Sequence, residues 1–558
     1  MCRNKQYNLK MHKEIHLKSL TLKTLIENSI SEFAENPSIS FVEGKPINYK
    51  TLGYEISRVS DMLYSLGLRK GDKVALFSHN MPNWVVAFFS VVSKGLIIVP
   101  ILPDFSEDET KNVLNHSETK VLFVSERLFP KIENTDLPAL KTIIKLDDFS
   151  VIKGEKVEEK KKSENVEVIE NDLAAIIYTS GTTGRSKGVM LSHKNITFVA
   201  AASFHVFPIN ADDVFLSFLP LSHTYENSIG MLYPIMYGAS VYYLEKPPTA
   251  TALIPALAKI RPTMMLSVPL IMEKIFKVQV QGKFAKNHFT RMIYKTPLFR
   301  KIIHRIAGKK LYQTFGGRLK FFGIGGAKLD ARVERFLKEA RMPYAIGYGL
   351  TETAPLLAGA IPFHTKLQST GPAIRGVQLK IHEPNAKGIG EIWAKGPNVM
   401  MGYYKNPEAT AEVLVEDGWF RTGDFGKFDR QKRLFIKGRM KNMIVGSSGE
   451  NIYPEDIESV INNNQYVLES LVVEEDGYLV AKVLLDLETL EKHYDHLKSI
   501  IEEKKLQYHE WVEHFTKELN SKLNKGSQIK RVDLIDNAFE KTASQKIKRF
   551  MYTKKQKK

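Results

Sequence analysis

The chain is almost without cysteine: of its 558 residues only Cys2 is one. A single thiol excludes an intramolecular disulfide and a cysteine-based metal site, and nothing suggests an oxidising compartment. The opening stretch MCRNKQYNLKMHKEIHLKS lacks the apolar core of a signal peptide or lipoprotein leader, so a cytoplasmic protein is expected. A membrane-spanning run is also missing. Its one imitator, WVVAFFSVVSKGLIIVPILP from Trp84 to Pro103, carries Lys94 and Gly95 at its centre and two prolines, and reads as a buried helix, a turn and a buried strand.

Acid is missing where base is plentiful. The net charge is +18, yet no Asp or Glu occurs between Lys274 and Lys328, where Lys and Arg alternate with Phe, Ile, Leu and Tyr; the closing KTASQKIKRFMYTKKQKK is acid-free too. Such runs are solvated faces in the plainest reading. The next reading is attraction to an anionic bilayer, at the inner face of a membrane, or to an acidic partner. Nucleic acid comes last, because no recognition module accompanies the charge.

What is present is the balance of a globular protein of several domains, 43% hydrophobic and 25% charged. Apolar residues at Leu20, Leu22, Leu25, Ile26, Ile30 and Phe33 predict an opening helix, and helical patterns then alternate with apolar runs such as KVALF and KVLFV. That alternation predicts an α/β fold. Lys153 to Asp172 is charged and aperiodic and reads as an exposed loop. Glycines and Pro454 in IKGRMKNMIVGSSGENIYPEDIE mark a boundary, so we expect a large multi-layer domain over 1–438 and a small α+β domain over 439–558.

The densest motif is YTSGTTGRSKGVMLSH, Tyr178 to His193, directly after the apolar run LAAII. A Walker loop needs lysine immediately after its last glycine, whereas Gly184 is followed by Arg185 and Ser186 before Lys187. What remains, Thr179 to Gly188, offers glycine-permitted backbone N–H groups, the hydroxyls of Thr179, Ser180, Thr182, Thr183 and Ser186, and the cations Arg185 and Lys187. These suit polyphosphate oxygens. Further segments follow: FLPLSHTYEN with His223 and Glu226, FFGIGGAKLD with Gly325, Gly326 and Ala327, GYGLTETAP with Tyr348 to Pro355, DGWFRTGDFGKFD with its TGD turn at Asp424, IKGRMKNMI with Arg439 and Lys441, and FEKTASQKIKR with Lys546. His223 and Glu226 have no second histidine at ligand spacing, so a metal site there is not expected.

In this order the segments resemble the adenylate-forming enzymes, the acyl-CoA synthetase and luciferase superfamily, over roughly Leu20 to Arg549; the SHTYE form resembles the long-chain fatty acyl-CoA synthetase branch. The resemblance departs at Ser186, Glu540 and Gln545, where proline, proline and glycine are usual. It implies ATP, Mg²⁺ and coenzyme A as reactants, with acyl-AMP as intermediate. The Thr179, Ser180, Gly181, Thr182, Thr183, Gly184 and Lys187 loop would hold phosphates, Gly325, Gly326 and Ala327 would line the adenine and acyl pocket, Tyr348 would pack on the adenine, and Gly349 would belong to the same ATP site. Asp424 and Arg439 would hold the ribose. Thr351 would hydrogen-bond the α-phosphate, Glu352 would hold Mg²⁺, and His223 would shape the acyl site. Lys546 would be the catalytic lysine, Lys441 the hinge of a mobile C-terminal domain, and Gly446, Gly449 and Glu450 part of a thiol channel. A long-chain fatty acid is the implied substrate, with acyl carrier protein as an alternative acceptor and a non-catalytic lipid- or nucleotide-binding scaffold as the reading from another class.

Overall fold

The computed structural model describes residues 13–553, except 134, 155–160, 180–185, 278–293, 295, 446–450, 463, 465, 487–500 and 543–546. The opening helix forms as the periodicity predicts, over Leu22–Glu32, with Thr21 capping it by accepting from the Thr24 N–H at 3.0 Å. KVALF becomes the strand Lys73–Phe77 and LAAII the core of Leu173–Thr179. The membrane-span imitator resolves into the helix Pro82–Val92 and the strand Ile97–Ile101, both fully buried from Trp84 onward apart from the turn between them.

Two eight-stranded sheets carry the first part of the chain. In one, the strands run Leu356–Gly359, Tyr344–Gly349, Phe321–Ile324, Met264–Ser267, Val214–Ser217, Ser240–Tyr243, Pro37–Phe41 and Ile47–Asn48; it is parallel except at its two edge strands. The other centres on the parallel strands Leu173–Thr179, Ile97–Ile101, Lys73–Phe77, Val121–Val124 and Thr142–Lys145. Parallel strands need crossover helices that cover both faces, which is why these runs are continuously apolar. One large core joins the sheets through the helices Leu22–Glu32, Tyr49–Ser65, Pro82–Val92 and His193–Ser203.

A smaller antiparallel sheet follows, in which Trp419–Phe428 lies between Gly390–Lys395 and Leu434–Arg439. The TGD segment, read as a turn, is part of this ten-residue strand. Gly423, at φ 68°, absorbs the left-handed residue that makes it look like a turn, and pairing resumes beside it at Asp424. Beyond residue 443 the apolar side chains collect in clusters of their own. The strands Val467–Glu475, Tyr478–Leu485 and Arg531–Ile535 pack with the helix Pro454–Ile461 and with Phe515 and Leu519 of Ile501–Ser521.

Candidate active site

Tyr348, Asp424 and Arg439 come from three separate strands and meet at one carboxylate. The Tyr348 hydroxyl donates to Asp424 Oδ2 at 2.8 Å, and Arg439 Nε lies 3.2 Å from Oδ1. Asp424 and Arg439 are register partners across the antiparallel pair, so strand pairing itself places them together. Asp424 is 3% exposed, and its carboxylate raises the Arg439 guanidinium above its usual range. Burial first, and then this carboxylate, drive the Tyr348 phenol far above its ordinary value, so it stays a donor.

Glu352 sits in the single turn Thr351–Thr353 that follows Tyr344–Gly349. The turn is held by buried amides and hydroxyls. Asn398 Nδ2 donates to the carbonyls of Thr353 and Leu356 at 3.0 and 2.9 Å, Ser228 Oγ donates to Ala354 O at 2.8 Å, and Met400 N donates to Glu352 O at 2.9 Å. Asn195, the N3 residue of a capping box with Ser192, ties the segment that carries Asn398 and Met400 to the helix His193–Ser203 through Pro397 O and Val399 O. Gly349 must be glycine, because a Cβ there would lie 1.8 Å from the Pro355 carbonyl oxygen.

Tyr403, which the sequence reading did not single out, links this turn to the phosphate-loop hairpin. Its hydroxyl donates to Glu352 Oε1 at 2.9 Å, and Lys187 Nζ lies 4.8 Å from its ring centre. The backbone of Tyr403 pairs with Val189, two residues after Lys187. The aromatic pair in GYYKNPE, just before a helix start, was the available signal. Thr179 and Lys187 face each other as the last paired residues of the hairpin. Ser180, Gly181, Thr182, Thr183 and Gly184 lie outside the described residues, as do Gly446, Gly449, Glu450 and Lys546.

The glycines of FFGIGGAKLD make room for a ring of the protein itself. A Cβ on Gly323 would come within 3.0 Å of the Tyr225 hydroxyl, and one on Gly325 within 3.2 Å of the Tyr225 ring, while Gly326 and Ala327 are exposed beyond it. Tyr225 also reaches His223: its N–H donates to His223 Nδ1 at 3.2 Å, so that nitrogen is an acceptor. The next residue, Glu226, opens a buried π-helical stretch, Glu226–Leu232. Burial raises its carboxyl to about 8, only partly offset by a hydrogen bond from Ser217. Tyr225 then borders a narrow apolar cavity of about 40 Å³ lined by Val206, Phe207, Ile229, Leu266, Gly347 and Ala360, among others.

These residues suit a nucleotide and a hard cation. Glu352 forms no ion pair with a described lysine or arginine and keeps its second oxygen clear of Tyr403, which fits Mg²⁺ held by one carboxylate together with substrate phosphates. Lys441 is exposed in the short turn Met440–Asn442, between the cores on either side of it. Around Lys546 the flanks are anchored: Lys541 bridges to Ile547 in antiparallel fashion, Ile547 packs against Leu471, Val473, Val480 and Phe539, and Arg549 is paired with Glu458.

A fold of this kind is that of an adenylate-forming enzyme, and residues 26–404 match the AMP-binding enzyme family; the chain belongs to it. Among curated relatives it is 29% identical over 504 residues to fatty acyl-CoA synthetase A of Dictyostelium discoideum, covering 81% of this chain and 74% of that one. It is also 29% identical over 482 residues to the long-chain-fatty-acid–CoA ligase heimdall of Drosophila melanogaster, covering 78% and 70%. Among solved structures, the anthranilate CoA ligase AuaEII, in complex with anthranoyl-AMP, superposes with a TM-score of 0.77 at 19% identity over 98% of both chains, a likeness of fold.

Proposed function

We propose that this chain activates a long-chain fatty acid with ATP and passes the acyl group to coenzyme A through an acyl-AMP intermediate. Relatives named as long-chain fatty acyl-CoA synthetases, matched over most of both chains, support the substrate class. The observation that carries the chemistry is the convergence of Tyr348, Asp424 and Arg439 on one buried carboxylate, with Glu352 four residues beyond Tyr348.

A carboxylate has no leaving group better than oxide. Its oxygen therefore attacks the α-phosphorus of ATP, the bond from that phosphorus to the bridging oxygen of pyrophosphate breaks, and acyl-AMP forms. No general base is needed, because the acid is already ionised. Catalysis is alignment and neutralisation of the charge that grows on the phosphoryl oxygens. Asp424, as an ionised acceptor with two oxygens, takes the ribose hydroxyls, with Tyr348 and Arg439 orienting it. Thr351 donates to an α-phosphoryl oxygen, Lys187 and the Thr179–Gly188 loop hold the departing phosphates, and Lys546 neutralises the centre. Mg²⁺ on Glu352 supplies further charge stabilisation when bound. His223 and Tyr225 bound the acyl end, where the apolar cavity next to Tyr225 must widen to take a long chain.

A thiol then attacks the acyl carbonyl, and AMP leaves with the electrons of the carbon–oxygen bond. In this proposal residues 439–558 form a second domain that pivots at Lys441, withdrawing Lys546 and bringing Gly446, Gly449 and Glu450 to the thiol. Peripheral contact with an anionic membrane surface belongs to the same proposal, since long-chain acids partition into bilayers; among the described residues no helix is long and apolar enough to cross one. The test is pyrophosphate exchange with carboxylic acids of increasing length, repeated with coenzyme A and with holo acyl carrier protein. Exchange that rises with chain length and thioester formed on coenzyme A are expected; release of ADP and orthophosphate would overturn the reading.

A further inference from the structure

Among the described residues of the acid-free basic stretch is a helix whose packing separates its two faces. Pro297–Thr314 turns His304, Gly308 and Leu311 inward. His304 Nδ1 lies 2.7 Å from a Glu339 carboxylate oxygen, and Arg300 grips the same carboxylate through Nε and Nη2 at 3.1 and 2.9 Å. Gly308 crosses the end of the helix Ala331–Glu339 so closely that a Cβ would lie 2.4 Å from that of Ala340. The helix is therefore fixed in rotation, and the face it shows to solvent is set.

That outer face carries an apolar stripe. Leu298, Phe299, Ile302 and Ile306 are 67, 51, 47 and 69% exposed. Their spacing of one, four and eight residues from the first keeps them on one stripe, opposite His304, Gly308 and Leu311. Lys301, Arg305, Lys309 and Lys310 are exposed within or beside the stripe, and none has an acidic partner among the described residues. An apolar stripe bordered by exposed cations, on a helix lacking any acid, is complementary to one kind of surface: acyl chains beneath anionic headgroups.

We propose that the outer face of Pro297–Thr314 is the membrane-docking surface of this protein, lying in the interface of an anionic bilayer with Leu298, Phe299, Ile302 and Ile306 inserted and the flanking cations at the headgroups. It rests on the peripheral contact proposed above and assigns that contact to one helix face. A folded acidic protein would match the charge but would not need four large apolar side chains held outward along a single stripe. The clamp to Glu339 explains how a helix can keep such a face in water: its inner side supplies the attachment.

The experiment is co-sedimentation of the full chain with vesicles of phosphatidylcholine alone or mixed with phosphatidylglycerol. Wild type is expected to bind the anionic vesicles at low salt, and to be released as salt rises. The triple variant Phe299→Ser, Ile302→Ser, Ile306→Ser should bind about tenfold more weakly while keeping pyrophosphate exchange with a short, freely soluble acid. A second variant, Lys301→Ala, Arg305→Ala, Lys309→Ala, changes only exposed charge and should lose anionic selectivity. Wild-type-like binding by both variants would overturn the helix assignment and leave membrane contact standing; no binding by wild type would remove both. Sedimentation without lipid that revealed a dimer dissolved by the serine changes would show that a second copy covers the stripe, and would overturn the proposal.

Discussion

The Tyr403 hydroxyl donates to the Glu352 carboxylate at 2.9 Å, while the ammonium of Lys187 lies 4.8 Å from the centre of the same ring. One side chain thus joins the acid proposed to hold Mg²⁺ to the lysine proposed to hold phosphate. Tyr403→Phe keeps the ring under Lys187 and removes only the contact to Glu352. The Mg²⁺ concentration for half-maximal pyrophosphate exchange should rise roughly tenfold, the lower end for loss of a group that orients a metal ligand. The thermal midpoint should hardly move. An unchanged Mg²⁺ requirement would mean that Tyr403 does not position Glu352.

Asp424 is nearly buried and satisfies both Tyr348 and Arg439. Asp424→Ala removes the proposed ribose acceptor together with the carboxylate that Tyr348 and Arg439 share. AMP affinity measured by calorimetry should drop by at least tenfold, since hydrogen bonds to charged groups contribute about 1.5–3 kcal/mol. Tyr348→Phe should cost less, because the carboxylate survives and Arg439 still orients it. Equal affinities in all three proteins would place the nucleotide elsewhere.

Glu226 gives a pH dependence whose sign can be worked out. Its folded value of about 8 lies above the ordinary 4.5, so the native state holds a proton that the unfolded chain has released. Its contribution to stability is present below about pH 4.5 and is lost as pH rises toward 8. Glu226→Gln stays neutral throughout. The thermal midpoint of the variant relative to wild type should therefore climb between pH 5 and pH 8, and a constant difference across that window would show that burial does not hold Glu226 protonated.

Lys546→Ala separates the two half-reactions. Acyl-adenylate formation should be abolished, while thioester formation from supplied acyl-AMP and coenzyme A should persist. Equal failure of both would contradict a lysine that withdraws when residues 439–558 pivot at Lys441.

Much of the site could be read along the chain, since the strand before Thr179, the helix at Leu22–Glu32 and the helix–turn–strand over residues 82–101 follow from periodicities and glycines that act over a few residues. Tyr348, Glu352, Asp424 and Arg439 were legible as motifs. The route by which they meet was not: Tyr348 bonds a residue 76 positions away, and Glu352 one 51 positions away. The TGD segment looked like a turn because glycine signals a left-handed residue without saying whether strand pairing continues past it. Gly325 and Gly326, without side chains, promised room for a flat ring, and only the path of the chain revealed that Tyr225 lies against the first of them.

By itself the sequence determined the α/β alternation, the glycine-rich loop and the surplus of base, because local propensity and charge need no partner to be expressed. The tertiary structure alone decided which carboxylate two distant side chains share, that Tyr403 joins two motifs, and which face of a basic helix is left to solvent. Those depend on side chains brought together by long-range packing, as when Gly308 seats against Ala340 and turns Ile302 and Ile306 outward.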